Sequence, residues 1–122
     1  MLDDSKNLIP PATLTITCHK GGKAGRGDRF DPKIINLILG QEIRFASAPD
    51  GKGKVAKVYF ISNKALDKSL IGVDHLLITK GSPQTLTIGK DPSLCSNQYT
   101  LSFKKPGPRD TGGTASVKIN SN

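Results

Sequence analysis

FDPKIINLILGQEIRF, residues 30–45, sets two apolar runs on either side of a Gly40–Gln41 turn. Pro32 lacks a backbone N–H, so it fits only the start or the edge of a strand. Beyond the turn, Ile43 and Phe45 alternate with Glu42 and Arg44. A period of two puts the apolar pair on one face of a half-buried strand.

The same grammar extends in both directions. Upstream, TLTITC alternates Leu14, Ile16 and Cys18 with three threonines, a strand rich in β-branched residues. Downstream, VAKVYFIS reads as a central strand, and HLLITK, QTLTIG, YTLSFK and ASVKIN read as four more. Tyr99, Leu101 and Phe103 keep the period, as do Ala115, Val117 and Ile119. APDGKGK, GSP, KDPSLCSN and KPGPRDTGGT supply turn residues between them. SNKALDKSLIG is the one helical candidate: Ser62 or Asn63 can cap it, Leu66 and Leu70 stand four apart, and Gly72 can end it. The expectation is an all-β, antiparallel Greek-key sandwich of about seven or eight strands, with one short helix over residues 63–71.

Composition sets the outer limits. The chain of 122 residues fits one domain, with residues 1–11 as a tail and 12–122 as the sandwich. Thirteen Gly and eight Pro suit a turn-rich fold. No apolar run approaches the ~20 residues of a membrane span. Lys and Arg outnumber Asp and Glu by 18 to 10, a net charge of +8 that favours polyanionic partners. Aromatic residues are only 5% of the chain, too few for a reader of stacked single-stranded bases.

Phe30, Pro32, Ile35, Leu37, Gly40, Ile43 and Phe45 resemble the F-x-P-x-x-I-x-V-x-x-G-x-x-V-x-F signature of cupredoxin strands two and three. YTLSFKKPGPRDTGGTASVKI is similar to the closing hairpin of that family, and the likeness spans residues 12–122. The resemblance implies a cupredoxin-like fold. The family also draws Cys, His and Met copper ligands from its last loop, but here that loop carries Lys104, Lys105, Pro108, Arg109 and Asp110. Blue copper needs two imidazoles and a thiolate. The resemblance therefore implies fold without copper: no metal site and no cofactor are expected, with an unconventional metal-binding relative as the weakest alternative.

No catalytic motif is present: G-x-S-x-G and H-E-x-x-H are missing, and Glu42 has no carboxylate partner at a meaningful spacing. A non-catalytic binding or structural domain is expected, acting on a protein partner or on itself through loops or sheet edges. The alternative is a basic domain that binds nucleic acid or acidic polysaccharide through Lys20, Lys23, Arg26, Arg29, Lys104, Lys105 and Arg109. HKGGKAGRGDRFDP, residues 19–32, lacks the Lys-Ser/Thr pair and following helix of a phosphate loop. Its Arg-Gly-Asp at Arg26–Asp28 would matter only if displayed on a loop tip. Cys18 and Cys95, 77 positions apart, form a disulfide if the domain is exported, stabilising it by about 4 kcal/mol. In the cytosol they are two buried thiols. A secreted or periplasmic setting, and with it the disulfide, is the preferred reading.

Overall fold

Residues 30–45 cross between two sheets and back. The computed structural model describes residues 12–19, 28–48, 56–79, 81–106 and 113–121. Strand β1 (Leu14–His19) pairs antiparallel with β2 (Arg29–Asp31), and the chain then bends at Pro32 into β3 (Ile34–Ile38) of the opposite sheet. The run FDPKIINLIL is thus two strands, and the missing N–H of Pro32 falls where no ladder bond is needed. At Gly40 the backbone takes φ +81°, and Gln41 N–H donates to the Ile38 carbonyl at 2.9 Å. That turn returns the chain to the first sheet as β4 (Glu42–Ser47), which runs parallel to β1.

The remaining strands are β5 (Ala56–Ser62), β6 (Ala65–Leu66), β7 (His75–Ile78), β8 (Gln84–Thr87), β9 (Gln98–Ser102) and β10 (Ala115–Asn120). One sheet has the order β2-β1-β4-β8; the other runs β3-β10-β9-β5, with β6 and β7 both on the far side of β5. β3 lies parallel to β10. The sheets are therefore mixed, not purely antiparallel as expected. The reason is the double crossing of residues 30–45, which brings β4 and β3 beside strands that run the same way.

The expected helix over residues 63–71 is not formed. Ser62 pairs with Ala65 across a two-residue turn, and Leu66 pairs with Ile61, so the edge of β5 captures the segment as β6. Asn63 and Lys64 take φ 55° and 65°, outside helical space. A single helical-type bond survives, from Gly72 N–H to the Lys68 carbonyl at 2.8 Å. Leu70 is buried while Leu66 is exposed, so their spacing of four marks no common face. The short helix lies elsewhere, a 3-10 turn over Pro92–Ser96 capped by Asp91, whose carboxylate accepts from Ser93 N–H at 2.9 Å.

Between the sheets, Ile16, Phe45, Val58, Phe60, Leu101 and Val117 interdigitate with the other inward residues of a single core. Phe45 and Phe60 meet edge to face with centroids 5.9 Å apart. Each such side chain contributes about 1.5–3 kcal/mol through burial.

Candidate basic end of the sandwich

Strand direction fixes what meets at each end. β1 finishes at His19 where β2 begins at Arg29; β4 finishes and β5 begins at that same end, as do β9 and β10. Two contacts tie this end together across the sheets. The rings of Phe30 and Phe103 stack with centroids 4.3 Å apart and planes 4° from parallel. Gly113, at φ +63°, packs so tightly on Asp28 that a Cβ there would lie 2.6 Å from the Asp28 carbonyl oxygen.

Arg29 precedes Phe30, and Lys104 and Lys105 follow Phe103, so all three exposed cations stand at the end of the sandwich that the stacked pair closes. Lys104 N–H donates to Ser102 Oγ at 3.0 Å, which shapes the chain as it leaves β9. Lys20, Lys23, Arg26 and Arg109 lie outside the described residues. Asp28 is 9% exposed, so the carboxylate of the Arg-Gly-Asp triplet is tucked beneath the surface rather than displayed.

Both histidines and both cysteines of the chain fall within the described residues. Cys18 is buried in β1, and His19 points to the opposite face of that strand. Desolvation pushes the Cys18 thiol up to about 12. His75 is exposed on β7, beside the Tyr59 ring at 5.9 Å, with Nδ1 2.7 Å from Asp74 Oδ1. Cys95 sits half-buried in the 3-10 turn that precedes β9.

The expected disulfide is not there: both cysteines are free thiols. Cys18 pairs in register with Phe30, whose ring meets Phe103 past the far end of β9, whereas Cys95 precedes the near end of that strand. At ~3.4 Å per residue the two are separated by a strand length, on the order of 15 Å, against the less than ~7 Å that a disulfide tolerates. Among the described residues, no three of His, Cys, Asp and Glu are grouped to hold a metal ion.

Sequence reasoning missed the Phe30–Phe103 stack and the Asn63–Lys64 turn. The first had no local signal. The second had one, since Asn opening a two-residue link between apolar runs marks a hairpin.

No family model and no curated protein matches the chain. Solved structures do. A purple cupredoxin from Nitrosopumilus maritimus superposes with a TM-score of 0.55 at 12% identity, over 88% of this chain and 99% of that one. A proline-to-glycine variant of amicyanin in its reduced Cu(I) form reaches 0.51 at 10% identity, over 92% and 86%. An oxidised methionine-to-lysine variant of amicyanin gives the same values. Identity this low carries the architecture and not the activity. The chain is an all-β sandwich with a cupredoxin-like fold.

Proposed function

We propose that this chain is a non-catalytic binding domain without a copper centre, whose basic end takes a polyanion. The observation that supports it is the Phe30–Phe103 stack, which closes the end of the sandwich where Arg29 of one sheet and Lys104 and Lys105, beyond a strand of the other, stand exposed. Cations from covalently distant segments at one end raise the positive potential there, and that potential attracts sulfate or phosphate groups without a shaped pocket. Asp28 and Gly113, which meet, follow in sequence the segments 20–27 and 107–112 that carry Lys20, Lys23, Arg26 and Arg109. Export, the setting expected from the sequence, is where such a domain would meet acidic polysaccharide.

The donor set supports the copper-free reading. Trigonal copper needs a thiolate and two imidazoles at one point. Cys18 holds its proton, Cys95 lies a strand length away, and His19 and His75 stand on different sheets. The residues present do not fit the ion.

Retention on immobilised heparin over a salt gradient tests the proposal. A face making several sulfate contacts elutes well above physiological salt, and affinity falls steeply as salt rises. Replacing Arg29, Lys104 and Lys105 by Glu should abolish retention. Elution at low salt, unchanged by the triple replacement, would refute it.

A second reading is self-association through a sheet edge, favoured by Ile34. It is 73% exposed on β3, which ends its sheet. Sedimentation of the protein and of Ile34→Lys decides this: a dimer lost in the variant supports edge pairing, and a monomer in both excludes it.

A further inference from the structure

At the end opposite the basic face, a groove of about 480 Å³ lies between the β5–β6 turn and the 3-10 turn. Every residue that lines it carries a polar side chain. Asn63, Lys64, Asn97 and Gln98 supply one ammonium and three amides, and Ser62, Ser96 and Thr100 add hydroxyls. Lys64 is the one charged lining residue, and no carboxylate and no aromatic ring takes part.

Lys64 also occupies a costly backbone position. The two-residue turn needs positive φ at both residues, for which Asn followed by Gly is the usual solution. Here Asn63 takes the first place, but Lys64 takes the second at φ 65°. A long side chain in left-handed conformation lowers stability, and such outliers gather where the side chain is needed. The opposite wall is held in place. Asn97 Nδ2 donates to Tyr99 Oη at 3.2 Å, and that hydroxyl, on a fully buried ring, lies 3.0 Å from Ser69 Oγ. A fixed amide binds at a lower entropic cost than a free one.

We infer that this groove binds a sugar acid, a pyranose bearing one carboxylate. Lys64 takes the carboxylate as a point charge, and the amides and hydroxyls, each able to donate and accept, match a ring of hydroxyls. No aromatic ring lines the groove for a flat ligand to stack on. The volume is within the range of small-molecule sites. The inference stands apart from the basic face, because a strand length separates the two ends.

Two-dimensional amide NMR with D-glucuronate as the probe tests it, with D-glucose and acetate as controls. Saturable shifts at residues 63, 64, 97 and 98 are expected for glucuronate, with at least tenfold weaker binding of either control. Lys64→Gly should lose that binding tenfold or more while raising the folded-to-unfolded ratio about fivefold, since Gly removes the turn strain. Gln98→Ala should weaken binding without the gain in stability. Arg29→Glu should leave glucuronate binding unchanged. Equal shifts with acetate, no saturation, or a Lys64→Gly variant that binds as well as the parent or melts lower would overturn the inference.

Discussion

Phe30 and Phe103 lie ring over ring, 4.3 Å between centroids, and their contact closes the basic end of the sandwich between the two sheets. Phe30 is fully buried and Phe103 nearly so. Phe30→Ala should therefore destabilise the fold by about 3–5 kcal/mol through lost burial and the cavity left behind. A double-mutant cycle with Phe30→Leu and Phe103→Leu should give a coupling of about 0.5–1.5 kcal/mol in urea unfolding. Additive effects would mean that the stack contributes nothing beyond burial.

Gly113 and Gly81 separate steric from conformational cost. Both have positive φ, but a Cβ on Gly81 would meet nothing within 4 Å, while one on Gly113 would strike the Asp28 backbone. Gly81→Ala should lose about 1 kcal/mol. Gly113→Ala should lose at least ~2 kcal/mol more, because the atoms it meets are main chain and cannot rotate away. Equal thermal shifts for the two variants would contradict the close approach.

The two thiols should behave differently. At pH 8 an aromatic disulfide reagent should modify Cys95 in the native protein and Cys18 only after unfolding, since a buried thiol holding its proton to about 12 presents no thiolate. The sign of the linkage follows. The unfolded Cys18 ionises near 9.0 while the folded one stays protonated, so its contribution is complete below pH 9 and is lost as pH rises toward 12. Adding Cu(II) should produce no intense thiolate-to-copper band. Such a band, lost on changing either cysteine to Ser, would refute the copper-free reading.

Asp91 gives the acid limb. The Ser93 backbone N–H, then the Ser93 side chain, hold its carboxyl below the usual 3.8. A depressed carboxyl stabilises the fold above its unfolded pKa, and that contribution disappears as pH falls below about 4 through the folded value. Asp91→Asn keeps a capping oxygen but not the charge. The parent should melt higher than this variant at pH 6, and the gap should close by pH 2. A gap that persists at pH 2 would point to packing rather than charge.

Period-two alternation made most strands readable, because a strand with one face on a core must carry its apolar residues at every second position. Ile43 and Phe45, Tyr99 and Leu101, and Val117 and Ile119 all lie inward as that pattern demands. Gly40 likewise marked its turn, since positive φ is a local requirement. Residues 62–72 misled, because capping and spacing-of-four are equally local signals. They were outweighed by the open edge of β5, a hydrogen-bonding partner that no neighbouring residue announces. The same limit hid the parallel pairs, the strand length that keeps Cys18 from Cys95, and the presence of Arg29 and Lys104 at one end of the sandwich. Strand identity is set by neighbours in the chain, whereas sheet order and the assembly of charge at one end are set by contacts between segments far apart in it. Only the folded sandwich decides those.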